Sequence, residues 1–355
     1  MGSGVYTYEL LNSFYDFDEK NEYTVFLPPN VIPSDLPKEK NNWHYQLVGP
    51  AKLWTMYSLP KFFFVSKPKL DIFFSPTHYL PPFILYPSAI SILDLSFLYF
   101  KSNFTLKDFW QLKLWSEWSA KSCRQIFTIS QASKDDIINL YQLPENKIAV
   151  TYPGIKELKN LRIKELSMNK VLEKYGINHN YILFVGTVQP RKNIVKLIEA
   201  FSKITDKDLE LVIIGRSGWM YEEIYAAPKK FGVEQKVKFL DSVSDEELPY
   251  FYKNAACFVL PSLYEGFGMP ILEAMQNGCP VVTSNVSSMP EAGGNAALYV
   301  DPSNVGDILN KIKMVISDPK LQKEMIKKGY EQVKKFSWEK TARETLKVLE
   351  QVAGK

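Results

Sequence analysis

The feature that most limits how this chain can fold is an alternation. Short β-rich apolar runs recur at residues 181–185, 210–214, 237–240, 256–260 and 280–283, each followed by a helical pattern. Such runs read as strands buried on both faces, and strands that alternate with helices form parallel sheets, because a parallel pair needs a crossover long enough to hold a helix. Five in this order predict a doubly wound α/β layer. A looser alternation fills the first half, at residues 24–27, 71–75, 90–93, 125–130 and 148–151. The spacing of Val5, Tyr8, Leu11 and Tyr15 predicts a helix over 5–15, entered through a tight turn at Gly2, Ser3 and Gly4.

A chain of 355 residues is more than one hydrophobic core usually serves, so two domains are expected. A polar, Lys-rich helical passage over 157–175 joins the halves. The expected division is 1–165 and 166–335. Helical patterns at 305–316, 319–334 and 338–352 close the chain, the last in a segment, 336–355, expected to cross back to the first domain.

Charge then narrows the function classes. A net charge of +4 is too mild to call for nucleic acid, because phosphate binding needs clustered cations. They cluster in one region: residues 51–134 hold ten basic side chains against four acidic ones. The same region carries an aromatic segment, 104–118, with Phe109, Trp110, Trp115 and Trp118 among Lys107 and Lys113. With residues 61–67 it suits peripheral contact with a membrane. The weakly charged stretch 82–100 is broken by Pro87, Ser88, Ser91, Asp94 and Ser96 and reads as strand, loop and strand, not a span. No signal-peptide pattern is visible at Met1, and Cys123, Cys257 and Cys279 form no C-x-x-C pair, which fits a reducing cytoplasm, at the inner face of the membrane if contact is made. Asp16/Asp18 and Asp206/Asp208 have a D-x-D spacing but lie at polar helix ends, so no metal site is expected.

Three loops carry the chemistry. The run PSLYEGFGMPILEA, residues 261–274, lies between a buried strand and a helix. Gly266 and Gly268 let backbone N–H groups approach a ligand, and Pro270 suits a first helical turn. A helix N-terminus reached from a strand's carboxyl end is where phosphates bind in doubly wound folds. Glu265 and Glu273 are then left for hydroxyl groups, which sugars supply. The run FVGTVQPRKN, residues 184–193, ends a strand in a glycine turn and puts Arg191 and Lys192 at the expected start of a helix, where cations are unfavourable unless an anion is bound. A third run, IIGRSGWMY, residues 213–221, follows another strand.

The first run, glutamate, seven residues, glutamate, resembles the signature of retaining glycosyltransferases of family 4 (group 1), and the other two runs also look like elements of that family. The resemblance implies the GT-B fold, two Rossmann-like doubly wound domains facing a cleft. It implies Glu265 on hydroxyls of the transferred sugar, Glu273 on the ribose, and the backbone of Gly266, Phe267, Gly268 and Met269 on sugar and phosphate. Gly186, Arg191 and Lys192 would hold the diphosphate, and Arg216 phosphate or base. Some relatives carry an additional Arg where this chain has Thr187.

The first half resembles the acceptor domain more loosely, with Gly4, His78 and Asp94 as acceptor-side candidates. Two departures stand out. Where relatives often read His-Asp-Leu, this chain reads Leu93-Asp94-Leu95, and where relatives begin with a strand before the glycine turn, this sequence begins at the turn. A central strand of the first sheet is therefore expected to be missing. The expected activity is transfer of a hexose from GDP-mannose or a UDP-hexose to a glycan or lipid-linked acceptor, with no cofactor. A noncatalytic nucleotide-sugar-binding subunit is the alternative. An oxidoreductase is disfavoured, since no G-x-G-x-x-G follows either domain's first complete strand.

Overall fold

The computed structural model describes residues 2–30, 36–101, 105–156, 165–177 and 180–354. The chain divides into two compact units, residues 1–154 with 336–355, and residues 155–335. The expected boundary at 165 follows residues 157–164, which lie outside the described residues.

Unit 1 opens with helix α1 (Ser3–Phe17), which buries Tyr6, Leu10 and Phe14, one apolar side chain per turn. Ser3 and Gly4, expected in a turn, are instead the first helical residues, with Gly2 as the extended residue ahead of them. Strands β1 (Tyr23–Leu27) and β2 (Trp43–Leu47) pair in parallel as a sheet of their own. Then follow α2 (Leu59–Ser66), β3 (Phe73–Ser75), β4 (Ser88–Ser91), α3 (Ser96–Tyr99), α4 (Leu106–Ser122), β5 (Gln125–Thr128), α5 (Gln131–Tyr141) and β6 (Ile148–Val150). These four strands make a parallel sheet in the order β3-β4-β5-β6. Among the described residues the parallel strands of this unit therefore fall into two sheets instead of one. β2 had no sequence signal, since its residues WHYQL are half-polar and only Trp43 is buried.

Unit 2 runs α6 (Glu165–Lys174), β7 (Tyr181–Val185), α7 (Ile194–Ser202), β8 (Glu210–Ile214), α8 (Glu222–Lys230), β9 (Val237–Leu240), α9 (Leu248–Asn254), β10 (Cys257–Leu260), α10 (Met269–Gln276), β11 (Val281–Ser284), α11 (Met289–Gly293), β12 (Ala297–Val300), α12 (Val305–Ser317) and α13 (Pro319–Val333). Its six parallel strands are ordered β12-β11-β10-β7-β8-β9. β8, β10 and β11 are buried along their whole length, as strands with helices on both faces are. The sixth strand, β12, was not among the five expected: its Leu298 and Tyr299 are only partly buried, as on a sheet edge. The order reverses at β7, which has β10 on one side and β8 on the other. A crevice for ligands opens at the carboxyl ends of strands where the order reverses.

The last helix, α14 (Trp338–Ala353), belongs to unit 1 and packs along α1, with the Tyr6 and Trp338 rings edge to face at 5.9 Å. Thr341 Oγ1 donates to the Tyr152 carbonyl at 2.5 Å. Among the described residues no helix is long and apolar enough to cross a membrane.

Candidate functional site

The carboxyl ends of β7, β8 and β10 bring the three sequence motifs of unit 2 together. After β7 the chain turns at Gly186 and runs to a 3₁₀ turn, Pro190–Lys192. Arg191 and Lys192 are therefore in that turn, not in the first turn of α7 as the sequence suggested. Asn193 follows in the left-handed conformation, which Asn tolerates better than most residues, at φ 60°. Its Nδ2 donates to the Pro261 carbonyl at 2.9 Å and the Pro302 carbonyl at 2.8 Å. The Leu263 amide donates to the Arg191 carbonyl at 2.9 Å. The cationic turn is thus fastened to the loop carrying Glu265.

That fastening creates a buried ionic cluster. Lys192 Nζ donates to Glu265 Oε1 at 2.5 Å, and Arg191 Nη1 reaches Glu265 Oε2 at 3.2 Å and also donates to the Tyr264 carbonyl. Ser262 Oγ donates to Glu265 Oε1 at 2.6 Å, while the hydroxyls of Ser287 and Ser288 hold the Glu265 carbonyl at 2.7 and 2.8 Å. Lys192 and Glu265 are each only 7% exposed. Burial alone pushes a carboxyl pKa up, but the Lys192 and Arg191 charges, with the hydrogen bonds from Lys192 and Ser262, outweigh it and hold Glu265 at about 2. Glu265 stays ionised, and two cations face one carboxylate.

Helix α10 starts next to this cluster. Gly268 sits ahead of it at φ 98°, a conformation that favours glycine, and no side chain caps the helix. The first amides of a helix lack intrahelical partners and carry partial positive charge. One turn in, Glu273 Oε2 accepts a hydrogen bond from the Tyr252 hydroxyl at 2.9 Å. Burial raises the Glu273 pKa, and the Tyr252 hydroxyl acts against the rise. The two glutamates therefore differ: Glu265 is locked as an anion among cations, and Glu273 is held by a neutral donor. Phe267 and Met269, flanking Gly268, are buried.

The third loop approaches the first closely. The Val188 amide donates to the Arg216 carbonyl and the Gly218 amide to the Val188 carbonyl, both at 2.9 Å. A Cβ on Gly215 would lie 2.0 Å from the Gly186 carbonyl oxygen, so only glycine fits. The Arg216 side chain is exposed, as are Trp219 and Met220 beyond it.

The acceptor-side candidates lie in unit 1. His78 follows β3, partly buried, with its ring edge on Tyr79 at 5.2 Å. Burial lowers its pKa, and the Asp94 charge opposes the shift. Asp94 accepts the Ser96 amide at 2.8 Å, which starts α3. Gly4 is in the first turn of α1, and Leu93 is buried. Both D-x-D pairs serve local structure: Asp18 takes the Tyr23 hydroxyl at 2.5 Å and Asp206 the Asp208 amide at 2.9 Å. Among the described residues no group of three or more His, Cys, Asp or Glu is placed to hold a metal.

Sequence reasoning missed Ser262, Ser287, Ser288, Asn193 and Tyr252. Ser262, three residues before Glu265 on a rigid loop, had a readable spacing. Tyr252, on α9, had none.

The parallel sheet thus reverses order at β7, with Arg191, Lys192 and the start of α10 at its carboxyl end. Residues 168–332 match the family described as Glycosyl transferases group 1. Over 232 residues, 64% of this chain and 61% of the relative, the chain is 36% identical to an O-antigen chain mannosyltransferase B of Escherichia coli. The chain thus spans about three fifths of the length of that relative. The fold is that of sucrose-phosphate synthase from Thermosynechococcus elongatus, with a TM-score of 0.74 at 18% identity over all of this chain and 94% of that one. It is also that of Anabaena HepE, solved in complex with UDP-glucose, with a TM-score of 0.72 at 17% identity over 87% of this chain and 86% of that one. The chain has the GT-B fold, its second unit carries a group 1 glycosyltransferase domain, and it resembles mannosyltransferases.

Proposed function

We propose that this chain is a retaining glycosyltransferase that moves a hexose from a nucleoside diphosphate sugar to a hydroxyl of a glycan or lipid-linked acceptor. The observation that carries the reading is the cluster of Arg191, Lys192 and Glu265 beside the start of α10. Two cations balanced by one carboxylate leave a surplus positive charge, which a diphosphate leaving group would stabilise against and be stabilised by. Glu265 then turns to the hydroxyls of the sugar, Glu273 to the ribose, and the backbone from Gly266 to Met269 to sugar and phosphate. Gly186 lets the diphosphate approach, and Arg216 lies on the nucleotide side.

In the reaction the bond from the sugar's anomeric carbon to the β-phosphate oxygen breaks, and a bond to the acceptor oxygen forms on the same face. The acceptor proton passes to a phosphate oxygen of the departing diphosphate, because Leu93 can accept none. Arg191, Lys192 and the α10 terminus stabilise the charge that grows there, an effect whose removal costs on the order of a hundredfold in rate. Neither glutamate acts as a hydrolase acid or nucleophile. No metal or other cofactor takes part in this reading. Gly4, His78 and Asp94 face the acceptor, and the protein works in the cytoplasm at the inner face of the membrane.

The donor is GDP-mannose or a UDP-hexose. Mannose is supported by the likeness to the Escherichia coli mannosyltransferase, a UDP sugar by the UDP-glucose complex of HepE. A second reading, a noncatalytic nucleotide-sugar-binding subunit, is favoured by the buried Leu93 in place of an imidazole. Calorimetric titration with GDP, UDP and their sugar conjugates, followed by a transfer assay, separates the two. Binding that Lys192→Ala abolishes, together with turnover, is the expected result. Binding without turnover selects the second reading, and no binding by the folded protein removes both.

A further inference from the structure

Unit 1 carries, away from its sheet, an exposed apolar stripe that packing inside the unit does not explain. On α4 the side chains Leu106, Trp110, Leu114 and Trp118 recur every four residues and are 80%, 51%, 61% and 41% exposed. The inward face of the helix is separate, formed by Phe109, Ser116, Ser119 and Ala120. The stripe continues at its Trp118 end into the loop before β4. There Phe83, 90% exposed, and Leu85, 87% exposed, line with Trp118 and Arg124 a shallow depression of about 440 Å³. The same loop meets α2: the Tyr86 hydroxyl donates to the Pro68 carbonyl at 2.5 Å and its ring lies edge-on to Phe63 at 5.7 Å. On α2, Phe64 and Val65 are again turned outward. Large apolar side chains exposed together in this way mark an interaction site.

The charges around the stripe select the partner. Lys107 and Lys113 are on α4 and Arg124 is in the depression, with Lys61 on α2 and Lys67 and Lys69 just after it. Lys113 lies over the Trp110 ring at 5.2 Å and Lys61 over Tyr57 at 5.8 Å, so two of the cations sit directly on the aromatic surface. The acidic side chains of α4 are engaged locally: Asp108 with Thr105 at the helix start, and Glu117 with Lys121 at 2.6 Å. Large apolar and aromatic side chains rimmed by lysine match the headgroup boundary of an anionic bilayer, where rings and leucines enter the acyl edge and lysines stay at the phosphates. We propose that α4, the loop of residues 83–87 and the outward face of α2 dock this protein on the surface of an anionic phospholipid membrane. The inference names the docking face and the lipid charge it needs, and it stands whether or not the sugar chemistry above is right.

Flotation of the full chain with vesicles of phosphatidylglycerol and phosphatidylethanolamine, against vesicles of phosphatidylcholine alone, tests it. The wild type is expected to float with the anionic vesicles, and Trp110→Ser/Leu114→Ser to bind them at least tenfold more weakly with an unchanged thermal melt. Lys107→Glu/Lys113→Glu should weaken binding most at low salt, where surface charge is least screened. If the α4 double variant fails to fold, Phe83→Ser/Leu85→Ser takes its place, with the same expectation. Wild type that stays behind in every vesicle, or folded variants that float as the wild type does, overturns the proposal. So does a dimer in sedimentation velocity that the double variant dissociates while no vesicle is bound, since a second copy of the chain would then be the occupant.

Discussion

The two units solve opposite electrostatic problems. In unit 2 the decisive charges are turned inward, Lys192 and Glu265 almost fully buried and fastened by hydroxyls at the end of an unbroken six-stranded sheet. In unit 1 the cations of α2 and α4 are turned outward beside exposed rings, and the strands fall into two sheets. A buried charge must be paired, so its position is fixed by geometry and can serve chemistry. An exposed charge is screened and mobile, and serves adhesion. The difference separates charges whose positions the fold fixes from charges that solvent screens.

The sharpest way to break this comparison is Lys192→Ala, which leaves Glu265 buried with less compensation. Unit 2 should lose about 3 kcal/mol in denaturant unfolding, the usual cost of removing one partner of a buried pair. Adding Glu265→Gln should restore part of that loss, because the orphaned charge is gone. Additive losses would mean that the pair is not coupled.

Acid titration comes next. Glu265 is held at about 2 against an ordinary value of 4.5, so its contribution to stability is complete above pH 4.5 and is lost as pH falls toward 2. Unfolding free energy followed from pH 5 to pH 2 should fall more steeply in the wild type than in Glu265→Gln. Equal slopes would show that the cluster does not govern acid stability.

A smaller effect is expected at the other glutamate. Tyr252→Phe removes one hydrogen bond to a carboxylate, worth about 1–2 kcal/mol, and should weaken nucleotide binding several-fold in calorimetry. Because the Tyr252 hydroxyl holds the Glu273 pKa down against burial, its loss lets that pKa rise, and the binding defect should grow as pH falls. A defect independent of pH would separate Tyr252 from the protonation of Glu273. The smallest effect belongs to the outward face. Trp110→Ser/Leu114→Ser should change stability by no more than about 0.5 kcal/mol, as surface substitutions do, and should leave nucleotide affinity unchanged.

Legibility in the sequence followed the same division. The strands β7, β8 and β9 were readable to the residue, because each apolar stretch stops at a glycine or an aspartate, Gly186, Gly215 and Asp241. β2 was not, since WHYQL mixes polar and apolar residues, and neither was β12, whose short run ALYV is only partly buried. At the site, the spacing of Glu265, Glu273, Arg191 and Lys192 exposed the candidates, but not that Glu265 pairs with both cations. That pairing joins residues more than seventy positions apart.

The sequence by itself determined the alternating parallel layers and the candidate site residues, because periodicity and local motif spacing are properties of neighbouring residues. Only the tertiary structure decided that Arg191 and Lys192 occupy a 3₁₀ turn, that the Tyr252 hydroxyl donates to Glu273 Oε2, and that the stripe on α4 faces outward. These depend on which distant segments come together as the sheet closes, and burial, which sets both pairing and pKa, exists only once they have.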